Sequence, residues 1–198
     1  MTMRAPSFTE VNVASKRASI LKATLDLISE RGFHNTPITM IAKQAGVSSG
    51  IIYYYFENKE ALIYELYKDI KLKLLRAAVG AFSEQASYRE RFLAGWKRAI
   101  RYYIHHPKEI KFLEQFENSP YAQPDWQEMF SDEIRAATAF FQQGIQEGVL
   151  KDFQLEVSMG LGFGVALLLA KQHIRGEIDL TDELIDAAAD ASWDAIKK

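Results

Sequence analysis

The 198-residue chain contains no cysteine, which excludes disulfide scaffolds, thiolate zinc sites, iron–sulfur clusters and cysteine nucleophiles. Histidine is scarce, with four residues: His34, His105, His106 and His173. Neighbours on a helix point about 100° apart, so His105 and His106 do not share a face, and no H-x-x-x-H pair is present. Nucleophile elbows, phosphate loops and paired-carboxylate signatures are missing as well. The glycines at 160, 162 and 164 lack the preceding strand and the G-x-G-x-x-G spacing of a nucleotide loop. The expectation is a protein that is not an enzyme and uses no metal or cofactor. Glu109, Glu114 and Glu117 read as the solvated edge of a short helix. Long hydrophobic runs are lacking too. The longest, Val157 to Ala170, is interrupted by Ser158 and falls short of the roughly 20 residues that span a bilayer, so it reads as a buried helix. The first residues hold no apolar run that could act as a signal peptide. A cytoplasmic protein with no membrane partner is expected.

What is present is an ordinary globular composition, 48% hydrophobic and 25% charged, with a net charge of −2. That balance does not suit a protein that coats nucleic acid indiscriminately. Its distribution is uneven: residues 1–74 hold ten Lys/Arg against seven Asp/Glu, and residues 75–198 fourteen against nineteen. A basic front on an acidic body fits one local DNA contact.

Helical periodicity dominates from residue 16 onward, without sustained strand alternation, and predicts an all-α chain of about nine helices. Residues 1–13 lack periodicity and read as a flexible arm. An apolar stripe at Ile20, Leu21, Thr24, Leu27 and Ile28 ends at Gly32, in the position of a helix C-cap. A second helix opens with Thr36 as N-cap and Pro37 at its first position, and stops at Gly46. A third runs from Ser48 or Ser49 to Tyr54 or Tyr55, and a fourth from after Asn58 to about Phe82. Later helices are expected up to the stop at Pro107, over 107–117, from near Pro124, and over about 155–175 and 181–197.

Residues 38–56 (ITMIAKQAGVSSGIIYYYF) have the pattern of a helix-turn-helix. Ile38, Ile41 and Ala42 form the inward face of the first helix, Gly46 permits a left-handed turn, and Val47 plugs the turn from below. Ile52 and Phe56 anchor the second helix, which leaves Ser49, Gly50, Ile51, Tyr53 and Tyr54 facing outward. Two short amphipathic helices around a glycine also occur in helical proteins that never meet DNA. Solvent-facing aromatics in a row, however, mark a partner surface.

Across residues 16–66 the sequence resembles the TetR family of bacterial transcriptional regulators. The resemblance is carried by I-L-x-A in the first helix, R-G-F-x-x-T before the second, I-A-x-x-A-G-V-S across the turn, and G-x-x-Y-Y-Y-F-x-x-K-E beyond it. It implies a DNA-binding regulator of transcription, most often a repressor that releases double-stranded, near-palindromic operator DNA when a small-molecule effector binds. The implied DNA-binding residues are Thr39, Ser48, Ser49, Gly50, Ile51, Tyr53, Tyr54 and Lys59. Ser48 to Ile51 form the tip of the recognition helix, Tyr53 and Tyr54 touch phosphates, and Lys59 grips a phosphate at the start of the fourth helix. The head is weakly charged, since no Lys or Arg lies between Lys43 and Lys59. The cations placed to meet DNA are Lys59, Lys43, Lys16 and Arg17.

The resemblance divides the chain into an arm (1–13), a head (14–74, helix-turn-helix 37–56) with the start of a connecting helix, and an effector-binding and dimerisation body (75–198). Residues 155–175 and 181–197 would form half of a four-helix homodimer bundle. Gly160 and Gly164 permit close approach, flanked by Leu161, Val165 and Leu168, with Leu184, Ile185, Ala188, Trp193 and Ile196 on the last helix. The same residues also suit an ordinary intramolecular core. Trp96, Tyr103, Phe112, Phe116, Trp126, Met129, Phe140, Phe141 and Phe163 are candidates to line an effector pocket, although aromatics at helical spacing equally make core.

Overall fold

The computed structural model describes residues 8–79, 86–122 and 131–198, with side chains over 15–78, 86–122 and 138–198. These residues form two compact units, one of 1–69 with 111–123 and the other of 70–110 with 124–198. Nine helices are present among the described residues: α1 (Phe8–Arg31), α2 (Ile38–Ala45), α3 (Ser49–Tyr55), α4 (Lys59–Val79), α5 (Tyr88–His105), α6 (Pro107–Glu117), α7 (Ser131–Gln146), α8 (Leu155–Ile174) and α9 (Asp182–Ile196). The fold is all-α. The expected helix start near Pro124 and the end of α4 at Phe82 lie outside the described residues.

The head unit is built on α1, whose stripe of Ile20, Leu21, Thr24, Leu27 and Ile28 is buried as its spacing predicts. Two details differ from expectation. First, α1 begins at Phe8, so part of the expected arm is helical. Extending an existing helix adds one hydrogen bond per residue fixed, and this needs no apolar stripe. Second, Pro37, not Thr36, is the N-cap of α2, in an extended conformation and with no side-chain cap. A residue before proline is pushed away from helical angles, and the buried Thr36 hydroxyl instead donates to the Gly32 carbonyl at 2.8 Å. Gly32, with φ +77°, ends α1 as expected.

The head also recruits a segment that the sequence reading placed in the body. Phe112, Phe116 and Tyr121 pack in the head unit: Phe33 meets the Phe112 ring edge at 5.8 Å and Tyr121 at 5.1 Å. Tyr67 stacks on Phe116 at 4.2 Å, and the Tyr64 hydroxyl donates to the Tyr121 carbonyl at 2.6 Å. Burial, helped by the nearby Glu117 carboxylate, pushes the Tyr67 phenol up to about 12.

The body unit is organised around α5. A capping box of Ser87 and Glu90 starts this helix, and its inner face buries Phe92, Gly95, Trp96, Ala99, Ile100 and Tyr103. Phe92 touches Phe163 of α8 at 5.3 Å and Trp193 of α9 at 5.5 Å. Helix α9 runs antiparallel to α5 along three exposed ion pairs, Arg89–Asp190, Lys97–Asp186 and Arg101–Asp182. Such pairs contribute little energy each, but together they fix register. Arg98 reaches back to the carbonyls of Ala77 and Ala78 at 2.9 and 3.0 Å, satisfying acceptors at the last described turns of α4. Glu109, expected on a solvated edge, is buried. It accepts from the Tyr102 hydroxyl at 2.5 Å and lies 3.8 Å from Lys73. Its position three, four and seven residues before Phe112, Leu113 and Phe116 put it on the apolar face of α6 from the start.

Helix α8 departs most from expectation. It is long and apolar enough to cross a membrane by length and composition, and it is not a buried core helix. Its inward row is made of small residues: Ser158, Gly162, Ala166 and Ala170 are buried. Four of its large residues point outward, with Val157, Leu161, Val165 and Leu168 exposed by 36–54%, while Phe163, Leu167 and Leu169 pack against the core. A row at intervals of four drifts around a straight α-helix, whose turn is 3.6 residues. A π-helical turn over Gly160–Gly164 widens the spiral and takes up part of that drift. A Cβ at Gly162 would lie 3.3 Å from Phe92 and 3.6 Å from Phe141, whereas Gly160 and Gly164 face open space.

Backbone approaches most closely at Gly95, where a Cβ would sit 2.8 Å from the Ala78 carbonyl oxygen. Gly95→Ala is expected to gain up to about 1 kcal/mol in helix propensity and lose more through the backbone shift, for which overpacking costs about 1–3 kcal/mol. A net fall in thermal stability is the expected outcome, read by calorimetry. An unchanged or raised melting temperature would show that α4 and α5 can separate freely.

Candidate nucleic-acid interface

Helices α2 and α3 have the geometry of a helix-turn-helix. Ile41 and Ala42 are buried on α2, with Ile38 half-buried, and Ile52 and Phe56 are buried at α3. Gly46 adopts φ +67° and its N–H closes α2 on the carbonyls of Ala42 and Lys43. The next amide, Val47, donates to the Ala42 carbonyl at 3.0 Å. This left-handed closure is open to glycine at no steric cost, and it turns the chain into Ser48, the N-cap of α3. Ser48 makes no side-chain cap bond, so its position agrees with the expectation while its hydroxyl caps no helix amide.

The α3 surface carries the exposed residues. Tyr53 is 55% and Tyr54 76% exposed, and among the described residues neither hydroxyl has a hydrogen-bond partner within the chain. Tyr54 is braced edge-on by Tyr55 at 5.2 Å, which limits its rotamers. Thr39, Ser48 and Gly50 are also exposed. Ser49 and Ile51, expected to face outward, are only partly exposed. In a seven-residue helix anchored by Ile52 and Phe56, the flanking positions fall on the edge of the buried face.

Two cations expected at the interface are tied down. The Lys59 ammonium donates to the Phe33 carbonyl at 2.5 Å, fastening the start of α4 to the chain just beyond α1, and burial lowers its pKa. Arg17 pairs with Glu65 at 2.5 Å and lies over the Phe56 ring at 5.6 Å. Neither partnership has a local sequence signal, because 26 and 48 residues separate the partners.

The candidate pocket residues do not form one group. Trp96, Tyr103, Phe140, Phe141 and Phe163 belong to the body unit, where Phe140, Phe141, Phe163 and Phe92 make a chain of ring contacts at 5.3–6.4 Å. Phe112 and Phe116 are buried in the head unit instead. Trp126 and Met129 lie outside the described residues. Among the described residues no cluster of three metal-ligating side chains occurs. His105 and His106 each turn Nδ1 toward a carbonyl one turn back, those of Arg101 and Tyr102.

Comparison with known proteins agrees with this geometry. The family described as bacterial regulatory proteins, tetR family, matches residues 20–66, and a tetracycline-repressor-like C-terminal domain family matches residues 87–197. A fatty acid metabolism regulator protein of Bacillus subtilis is 27% identical over 168 residues, covering 84% of this chain and 81% of its own. The regulator RutR of Escherichia coli is 43% identical over 72 residues, 36% of this chain and 34% of its own. The crystal structure of a TetR family transcription regulator from Marinobacter aquaeolei superposes with a TM-score of 0.87 at 27% identity, covering 94% of this chain and 97% of that one. The chain belongs to the TetR family, as a DNA-binding, helix-turn-helix regulator of transcription.

Proposed function

We propose that the protein acts as a homodimeric repressor that holds a near-palindromic operator through one α3 per subunit and releases it when a small effector binds. The observation that carries this reading is the reversed polarity of α8: small residues face in, and Val157, Leu161, Val165 and Leu168 face out. Leu184 of α9 is likewise 44% exposed. Burying one such side chain is worth about 1.5–3 kcal/mol, so a continuous row of them favours a matching surface. A second copy offers that surface through two-fold symmetry, and TetR-family regulators typically function as dimers. Two recognition helices then meet two half-sites about one or more turns apart, on the order of 34 Å per turn.

Thr39, Ser48, Ser49, Gly50, Ile51, Tyr53, Tyr54 and Lys59 are the proposed DNA contacts. The unpartnered tyrosine hydroxyls are donors suited to phosphate oxygens. Lys59 keeps two further N–H donors for a phosphate besides the one held by Phe33. For the effector, the aromatic chain from Phe140 to Phe163 favours an apolar or amphipathic molecule. The Bacillus relative, named for fatty acid metabolism, is in keeping with that chemistry. A thermal-shift series of amphipathic compounds tests this arm. A specific ligand at a hundredfold excess over its Kd should add about 2.7 kcal/mol of stability, and the same compound should dissociate operator DNA.

Leu168→Glu should convert the dimer to a monomer in sedimentation at micromolar concentration, with helicity unchanged and operator affinity reduced. A variant that stays dimeric and binds DNA normally would move the interface elsewhere. Tyr53→Phe should weaken operator and unrelated DNA in equal proportion, by roughly 0.5–1.5 kcal/mol per hydrogen bond in each subunit. A changed base preference at constant affinity would instead make Tyr53 a base reader.

A further inference from the structure

Helix α3 lacks the side chains that most often read base edges. Its residues, Ser49–Tyr55, are SGIIYYY. They include no Arg or Lys to pair with guanine, no Asn or Gln for adenine and no Asp or Glu for cytosine. The polar side chains it does carry end in hydroxyls. A hydroxyl both donates and accepts, so it meets either kind of base edge and discriminates weakly. Tyr53 and Tyr54 lie one turn beyond the start of the helix and are the proposed phosphate contacts. Sequence discrimination by α3 therefore falls to its first turn, at Ser49, Gly50 and Ile51.

Gly50 is exposed and lies inside α3 without a positive φ. Within 4 Å, a Cβ there would meet only the Ser48 Oγ, at an ordinary contact distance of 3.8 Å. Neither turn geometry nor packing within the chain requires glycine here, although glycine weakens a helix relative to alanine. Its remaining use is close approach of the backbone to a partner. At about 100° per residue, Gly50 sits between Tyr53 and Tyr54 on the exposed face, so the middle of that face is bare at its first turn. Ile51 borders the bare spot. It is half-buried, and a β-branched side chain in a helix has one strongly preferred rotamer. Its outer atoms form a fixed apolar edge with no donor or acceptor.

We infer that α3 reads a thymine through its C5-methyl group: the bare turn at Gly50 lets the backbone close on the major groove, and Ile51 packs against the methyl. That methyl is the apolar feature that base pairs present in the major groove, and Ile51 discriminates only by packing. The inference rests on the DNA contacts proposed for α3 and goes beyond them by naming the base and the group that is read. Each half-site then depends on a T·A pair through a contact that contains no hydrogen bond.

A pool of random-sequence duplexes selected on the full-length wild type supplies the operator. Deoxyuridine then replaces each thymidine in turn, at the equivalent positions of both half-sites. This exchange removes the methyl and leaves every hydrogen-bonding group of the base in place. One position should lose about fourfold in affinity per half-site, the worth of one buried methyl group. Ile51→Ala should bind the thymine and uracil forms of that position equally, whereas Ile51→Val, which keeps the branched edge, should still prefer thymine. Gly50→Ala should weaken operator binding at an unchanged or raised melting temperature. The inference is overturned if no thymine methyl matters, or if Ile51→Ala keeps the full thymine preference. It is also overturned if Gly50→Ala binds like wild type or melts lower. The uracil scan on wild type needs no substitution, so it decides the matter even if a variant folds poorly. A wild type that selects no sequence from the pool would instead bring down the reading of α3 as a recognition helix.

Discussion

Helices of eight and seven residues do not persist on their own in water, because nucleation costs more than so few hydrogen bonds return. The reading head of this protein consists of two such helices, α2 and α3. What holds them is burial of Ile41, Ala42, Ile52 and Phe56 in the head whose long member is α1. Every position on the exposed face of α3 is therefore set by residues on its hidden face. The left-handed Gly46 and the Lys59 bond to Phe33 complete the restraint: one fixes the angle between the two helices, the other fixes where α4 departs. The Tyr53 and Tyr54 side chains can stand exposed, their hydroxyls without a hydrogen bond among the described residues, because the frame below them is over-determined.

The body follows an opposite logic. There α5 is the buried member, with Phe92, Trp96 and Ile100 almost fully enclosed, and α8 is divided between two environments. Its inward row is narrow enough for close approach to α5, and its outward row is too apolar for water alone. The π turn at Gly160–Gly164 sits where these requirements conflict. Gly162 faces Phe92 and Phe141 at contact distance, while Gly160 and Gly164 on the other side meet nothing. The aromatic cluster and the exposed stripe thus lie on opposite sides of the same helix.

Much of this was legible in the sequence where structure is local. The α1 stripe, the glycine stops at 32 and 46, the α3 limits and the Pro107 boundary all follow from periodicity and backbone chemistry. The family resemblance supplied the residues proposed to face DNA. What escaped was set by tertiary context. Thr36 looked like a cap because its side chain could cap, but a hydroxyl has several carbonyls within reach and took Gly32. Glu109 looked solvated because glutamates are, although its spacing from Phe112 and Phe116 marked an apolar face. The run at 157–170 was read as buried on composition alone, and composition does not say which of two faces the large residues take. Arg17 and Lys59 looked available to DNA because their partners are distant in sequence.

The return of residues 111–123 to the head has a practical consequence for modular engineering. A fragment cut after residue 74 would contain the whole helix-turn-helix and most of α4, yet it would lack Phe112, Phe116 and Tyr121. The faces of Phe33, Tyr64 and Tyr67 would then be stripped of their aromatic cover. A chimera that transplants this DNA-reading module onto a foreign effector domain must therefore carry two stretches of chain, or the host must supply an equivalent cover at the junction. The helix-turn-helix is one continuous segment, but the compact unit that holds it is not.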